Sequence, residues 1–138
     1  SIWELQLKGS GKTPYSRMGD GKAVLRSSIR EYLCSHAMHK LGVPTTQALA
    51  IITSDDKVQR EEIETAAIVL RLAPSFLRFG HFEFFKNNNL IQELQQLINF
   101  TIDNYYPQCN QEHDKVIAFL DQVVKNTAIT IAKWQALG

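Results

Sequence analysis

A glycine-rich stretch near the start of the chain separates two segments whose apolar residues repeat with different periods. Residues 2–7 alternate apolar and polar side chains, which is the period-two pattern of a half-buried strand. Four glycines and one proline then fall within residues 9–21 and favour a loop over regular structure. Further on, apolar residues recur every fourth position and predict one packing face of a helix over residues 25–41: Ile29, Leu33, Ala37 and Leu41.

Two further strands are predicted after this helix. Apolar runs cover residues 47–53 and 65–72, and both are bounded by polar residues. The polar cluster at residues 54–57 predicts the turn between them. The strands therefore belong to a hairpin that follows the helix.

The rest of the pattern is helical. Short helical structure is expected within residues 76–85, an amphipathic helix from Leu90 to Tyr105, and a long final helix after Asn110, which we predict to be its N-cap. The order of elements predicts a small sheet with one packed helix in residues 1–75 and a helical part in residues 76–138, together one truncated domain.

Composition gives no support for some classes of partner. The 138 residues are 44% hydrophobic with a formal net charge of +1, which gives no electrostatic reason to expect a nucleic-acid or membrane partner. Cys34 and Cys109 suit a reducing compartment as free thiols. The chain starts at Ser1 rather than Met, and both ends look cut, so we expect an internal piece of a longer protein.

Lys8 and Glu31 are the first candidates for chemistry. Lys8 ends the predicted first strand, and Glu31 lies mid-helix, where the residues three and four positions away carry no positive charge. A partly buried carboxylate needs a partner from elsewhere in the fold, and a strand lysine paired with a helix glutamate can hold nucleotide phosphates. A solvated glutamate and an ordinary edge lysine would explain the same pattern.

Arg71 and Arg78 form a second candidate cluster. Arginine forks bind phosphates through paired hydrogen bonds, although these two arginines could instead reach water or pair with Glu83. Asp20 and Gly21 also allow two interpretations. Their tripeptide Gly-Asp-Gly could place a carboxylate and backbone amides near a ligand, or it could form a tight turn.

Spacing argues against two other kinds of site. A P-loop would need a glycine five positions before Gly11, where Gln6 stands. His36 and His39 lie three residues apart on one helix without an evident third metal ligand. We therefore predict neither a P-loop nor a metal site within this chain.

Residues 4–17 and 19–31 resemble the signature region of the selenoprotein O family, also called the YdiU family. The resemblance continues in order through residues 31–46, 71–75 and 78–83. It is close over about the first 85 residues, and the helical remainder matches in layout. This resemblance implies an α+β, protein-kinase-like fold in which a small antiparallel N-lobe sheet carries a packed helix and leads into the first helices of a truncated C-lobe.

The resemblance also implies an activity and roles for individual residues. The family transfers AMP from ATP to Ser, Thr or Tyr hydroxyls of protein substrates. Lys8 would be the strand lysine, and Glu31 its ion-pair partner. Position 22 is lysine where the family pattern suggests arginine, a change that keeps the charge. The positions that match ATP-binding residues of the family are Lys8, Asp20, Gly21, Arg71 and Arg78.

By the same resemblance, some parts of the machinery lie elsewhere. The catalytic aspartate and the Mg²⁺ ligands are expected after Gly138, and another nucleotide loop before Ser1. No catalytic or metal-binding residue is expected in this chain, which should be inactive alone. The family resemblance implies the cytoplasm for a bacterial protein or the mitochondrion for a eukaryotic one. Two alternatives are a conventional phosphotransferase on the same fold and a non-catalytic pseudokinase scaffold.

Overall fold

Strands dominate the first part of the chain and helices the second. The structure is a computed structural model that describes residues 2–14, 16 and 18–138. It is an α+β fold that divides into two compact units, Ser1–Phe76 and Leu77–Gly138. The expected combination of a small antiparallel sheet with helices is confirmed.

The first unit is built around one strand that pairs with all the others. Its elements are β1 (Glu4–Lys8), β2 (Ala23–Val24), α1 (Leu25–Lys40), β3 (Gln47–Gln59) and β4 (Ile63–Ala73). β4 pairs antiparallel with β1, β2 and β3. Small and β-branched residues suit this central position, and Ala67 and Val69 are completely buried there.

β1 and β2 pair with successive segments of β4, so together they form one interrupted edge of the sheet. Lys8, the last residue of β1, lies opposite Val69, and Ala23, the first residue of β2, lies opposite Ala67. The chain therefore leaves the sheet at Lys8 and returns only two positions further along β4. Residues 9–22, named the glycine loop below, fill this interruption.

The buried face of helix α1 carries serines rather than the predicted apolar stripe. Ser28 and Ser35 are the buried residues of this helix. The Ser28 hydroxyl donates to the Val24 carbonyl at 2.9 Å, and the Ser35 hydroxyl accepts from the Ala48 N–H at 2.7 Å. These bonds satisfy the buried hydroxyls.

The predicted packing face of this helix is wrong. Ile29, Leu33 and Leu41 are exposed, Leu33 to 60%. The four-residue period located the helix correctly, but it does not say which side approaches the sheet. Small hydroxyl side chains allow a closer approach of helix and strand than leucine does, and here they occupy the contact.

The predicted turn at residues 54–57 is also wrong. These residues lie within β3, where the pairing with β4 shifts between Thr53 and Lys57 and leaves a bulge. The chain reverses afterwards, where the Arg60 N–H donates to the Glu62 carbonyl at 2.9 Å. Polar residues such as aspartate and serine suit an exposed bulge as well as a turn, which explains the error.

The second unit consists of helices. They are α2 (Phe79–Asn87), α3 (Ile91–Tyr105), a short 3₁₀ helix (Pro107–Gln111) and α4 (Lys115–Gln135). Ile102 and Cys109 are the most deeply buried residues of this unit. Across the described residues, no helix combines the length and the apolar character needed to span the hydrocarbon core of a membrane.

Asp114, not Asn110, caps the final helix. The Asp114 carboxylate accepts hydrogen bonds from the Val116 N–H at 3.0 Å and the Ile117 N–H at 3.1 Å. Asn110 lies in the 3₁₀ helix instead, where its side-chain amide donates to Asp103 at 2.9 Å. Both residue types favour N-cap positions, so sequence preference alone did not separate them.

Replacing this cap should loosen the start of α4. In the full-length protein, Asp114→Ala removes the acceptor of two helix N–H groups and should cost about 1 kcal/mol locally. That cost corresponds to roughly fivefold faster hydrogen exchange at the Val116 and Ile117 amides, measured by mass spectrometry. Asp114→Asn keeps an acceptor and serves as the control. Equal exchange in the two variants would contradict the assignment of the cap.

Candidate functional site

One carboxylate joins a strand lysine and a strand arginine. The Lys8 ammonium donates to Glu31 Oε2, and Arg71 Nη1 donates to Glu31 Oε1 at 3.2 Å. The lysine side chain is 49% exposed, whereas those of Glu31 and Arg71 are 24% and 14% exposed. The predicted pairing of Lys8 with Glu31 is therefore present, and Arg71 belongs to the same cluster.

The register of the sheet explains why these side chains meet. Gln6 lies opposite Arg71, and Lys8 points to the same face as Gln6 because side chains alternate along a strand. Arg71 Nη2 donates to Gln6 Oε1. The guanidinium also lies 5.2 Å from the centre of the Phe76 ring, a favourable distance for a cation–π contact. Strand pairing and stacking thus fix Arg71 before any ligand is present.

The two cations keep Glu31 ionised. Partial burial on its own would raise the pKa of the Glu31 carboxyl, but hydrogen bonds and charge from Lys8 and then Arg71 outweigh it and lower that pKa. Two positive groups and one negative group leave the cluster with a net charge of +1. Lys8 carries part of this excess at an exposed position, where an anion could reach it.

Arg71 also retains unused hydrogen-bonding capacity. A guanidinium has five N–H donors, and Glu31 and Gln6 occupy two of them. Among the described residues, Arg71 Nε is buried without a hydrogen-bond partner. Arg71 is therefore held in place by two partners that leave some of its N–H donors unused.

The glycine loop is closed at its base by backbone contacts. Ser10 and Lys22 form an isolated antiparallel β-bridge, and the Gly11 N–H donates to the Gly21 carbonyl at 3.1 Å. Gly21 has a φ of +71°, and a Cβ there would lie 2.1 Å from the Gly11 carbonyl oxygen. The close approach of the two limbs therefore requires glycine at position 21.

Asp20 is held by an arginine from the β3–β4 turn. Arg60 Nη1 donates to Asp20 Oδ2 and Arg60 Nη2 to Asp20 Oδ1, both at 2.9 Å. The Lys22 N–H also donates to Asp20 Oδ1, at 3.0 Å. The hydrogen bonds from Arg60, followed by the one from Lys22, lower the pKa of Asp20 to about 2. Asp20 thus belongs to a tight turn and to a long-range ion pair at once.

The remaining predicted residue, Arg78, lies in the second unit. It precedes α2, where its N–H donates to His81 Nδ1 at 3.1 Å and its carbonyl accepts from the His81 N–H at 3.0 Å. These bonds fix the backbone of Arg78. A phosphate-binding role for its exposed side chain stays a prediction.

Comparison with known proteins identifies the family. A family model described as protein adenylyltransferase SelO matches residues 1–138. The chain belongs to the SelO family. The resemblance seen in the signature region is thereby confirmed, and the match also covers the helical part, which resembled the family only in layout.

Curated relatives of this SelO-family chain are bacterial proteins named protein nucleotidyltransferase YdiU. The chain is 60% identical to the one from Burkholderia thailandensis over 136 residues, which is 99% of the chain and 26% of that relative. It is 61% identical to the one from Ralstonia nicotianae over 135 residues, 98% of the chain and 26% of the relative. The chain therefore spans about a quarter of the length of these relatives.

Sequence reasoning did not identify two residues that contact the predicted ones: Gln6, which contacts Arg71, and Arg60, which contacts Asp20. The place of Gln6 beside Lys8 could have been predicted from the sequence, because Gln6 lies two residues before Lys8 and so shares its face of the strand. The place of Arg60 could not, because the turn between the strands had been predicted several residues earlier. In the described part of the chain, no group of three His, Cys, Asp or Glu residues is placed to hold a metal ion.

Gly21 should not tolerate a side chain. In the full-length protein, Gly21→Ala forces alanine into a left-handed conformation and against the Gly11 carbonyl. The conformation alone costs about 1–2 kcal/mol, so amides of residues 9–22 should exchange roughly tenfold faster. Gly19→Ala is the matched control, because the nearest atom to a Cβ at position 19 is 4.0 Å away. Equal exchange in the two alanine variants would contradict this prediction.

The Asp20–Arg60 pair should stabilise the fold only while Asp20 is ionised. Because the pKa of Asp20 is lowered from 3.8 to about 2, its contribution is fully present above the unfolded value and is lost as the pH falls through about 2. In urea unfolding of the full-length protein, the advantage of wild type over Asp20→Asn should therefore be constant near neutral pH and shrink below about pH 4.

The Arg60→Gln background provides the control for this pH dependence. Without its arginine partner, Asp20→Asn should change the urea midpoint little at any pH. A wild-type advantage that stays constant down to about pH 2, or that persists in the Arg60→Gln background, would show that another group is responsible.

Proposed function

We propose that the full-length protein is a protein adenylyltransferase, which transfers AMP from ATP to Ser, Thr or Tyr hydroxyls of other proteins. In this proposal the chain supplies part of a kinase-like N-lobe and the first helices of the C-lobe. The observation that carries the proposal is the cluster of Lys8, Glu31 and Arg71, a strand lysine held by a helix glutamate. The names of the family model and of the curated relatives support the same activity.

A ligand explains this cluster better than stability does. Partly exposed ion pairs contribute about 0–1 kcal/mol to folding, and this one also requires partial burial of the Glu31 carboxylate. A preorganised positive group beside a reacting phosphate is worth more, about 10²–10³ in rate. Glu31 in this view positions the Lys8 ammonium, which contacts ATP phosphates together with the unused donors of Arg71.

The other nucleotide-binding residues are assigned by family position. Asp20 and Gly21 lie in the glycine loop, whose closed base brings backbone groups of both limbs together. Arg78 is assigned to the phosphates on the same ground. Together with Lys8 and Arg71 they would bind ATP.

Mg²⁺ and the general base belong to other parts of the full-length protein in this proposal. Mg²⁺ favours carboxylate oxygens and neutralises phosphate charge, but the described residues offer no cluster of three candidate ligands. The residues present therefore do not fit a metal site, and their part is to bind and orient the nucleotide. The bacterial origin of the relatives suits a cytoplasmic enzyme with access to ATP.

Loss of the strand lysine should slow AMP transfer strongly. The full-length protein would be incubated with ATP and an acceptor protein, and the mass of the acceptor followed with time. Lys8→Ala should reduce the rate of AMP addition by roughly 10²-fold or more, because it removes one positive group at the phosphates. Lys57→Ala, which removes an exposed lysine from β3, is the control and should react like wild type.

The added mass distinguishes the activities. Addition of AMP that is lost in Lys8→Ala supports adenylyl transfer with Lys8 in the nucleotide site. A gain of one phosphate would contradict the proposal in favour of a conventional phosphotransferase. No gain with any acceptor, together with no ATP binding, would contradict it in favour of a non-catalytic scaffold.

A further inference from the structure

The glycine loop has two side-chain links to the β3–β4 hairpin, and they differ in strength. Lys22 Nζ lies 3.2 Å from Asp56 Oδ2 in the β3 bulge, a single contact between exposed groups. Arg60 instead binds both oxygens of Asp20 and also donates to the Lys22 carbonyl at 3.1 Å. A paired arginine–carboxylate contact fixes orientation as well as distance.

The Arg60 side chain is itself well positioned for this contact. Its Nη1 donates to the Gln59 carbonyl at 2.8 Å, and its backbone N–H closes the hairpin turn. The guanidinium therefore bridges the tip of a strand pair and the returning limb of the glycine loop. The β3–β4 hairpin includes the central strand of the sheet. Arg60 therefore ties the glycine loop to the sheet through a contact between residues 40 positions apart in the sequence.

The link leaves Asp20 able to serve the nucleotide. A carboxylate has about four acceptor positions, and Arg60 and the Lys22 N–H occupy three of them in the described structure. Among the described residues, no further residue donates to Asp20 Oδ2. Arg60 thus acts on the loop without blocking it.

We propose that Arg60 is a positioning residue of the nucleotide site, which holds the glycine loop in its ATP-binding conformation through Asp20 and the Lys22 carbonyl. This inference rests on the proposed function, since it assumes that the loop binds ATP. A loop that samples other conformations binds with an apparent affinity reduced by the fraction that is competent. Arg60 raises that fraction, while saturating ATP restores the competent conformation without it.

The expected consequence is a change in affinity without a change in maximal rate. In the full-length protein, Arg60→Ala should raise the ATP dissociation constant, measured by titration calorimetry, roughly fivefold. This factor corresponds to the upper limit of the free energy that an exposed ion pair contributes. The KM for ATP should rise by the same factor, and kcat for AMP transfer should stay at the wild-type value. Arg60→Lys keeps the charge but loses the fork, so its affinity should be intermediate.

Arg26→Ala is the matched control. Arg26 forms an equally paired contact with Glu64, at 2.6 and 3.0 Å, but this contact links α1 to β4 and does not involve the loop. The ATP dissociation constant of the Arg26→Ala variant should equal that of wild type. Equal weakening in Arg26→Ala and Arg60→Ala would overturn the inference in favour of a general structural effect, and so would a loss of kcat with unchanged affinity in Arg60→Ala.

Lys8→Ala, measured in parallel, separates this inference from the proposed function. If Lys8→Ala weakens ATP binding or transfer while Arg60→Ala matches wild type, only the inference about Arg60 is overturned, and the proposed function stands. If the wild type itself does not bind ATP, the proposed function fails, and the role of Arg60 fails with it. Weakened binding in both variants, with normal binding in Arg26→Ala, is the result expected.

Discussion

The hydrogen-bonded pairing of β4 with three other strands is the constraint on which the first unit depends. β4 gives both of its edges to partners, so every segment that borders it has a fixed register. Arg71 lies opposite Gln6 for this reason, and Lys8 lies two residues beyond Gln6 along the same edge. The cluster around Glu31 is therefore a product of strand register, to which α1 adds one carboxylate.

Electrostatics then determines what this geometry can do. Glu31 neutralises one of two cations and leaves the other charge at the end of β1, beside the point where the glycine loop begins. At the other end of the loop a second arginine–carboxylate contact, between Arg60 and Asp20, joins one cation to one carboxylate. The first unit thus carries positive charge and a constrained glycine loop at neighbouring positions of one sheet edge.

The sequence pattern was sufficient for the types of element, and it made Lys8 and Glu31 candidates for a pair that the family resemblance then favoured. Period-two and period-four patterns located β1 and α1, and the absence of a nearby cation on the helix predicted a distant partner for Glu31. It was insufficient where one residue type suits two structures. The Ser-Asp-Asp cluster formed a bulge rather than a turn, and Asp114 rather than Asn110 became the helix cap. The link from Arg60 to Asp20 depends on that turn position, so no local pattern could reveal it.

The interruption between β1 and β2 has a consequence for how this region can vary. The two ends of the glycine loop are fixed two positions apart on β4, so the sheet has already set the closure of the loop. Closure entropy grows only slowly with length, and doubling a flexible loop costs about 0.6 kcal/mol. Insertions at the outer part of the loop would therefore leave the strand register intact, so the length of this loop is a feature that the sheet leaves free to vary.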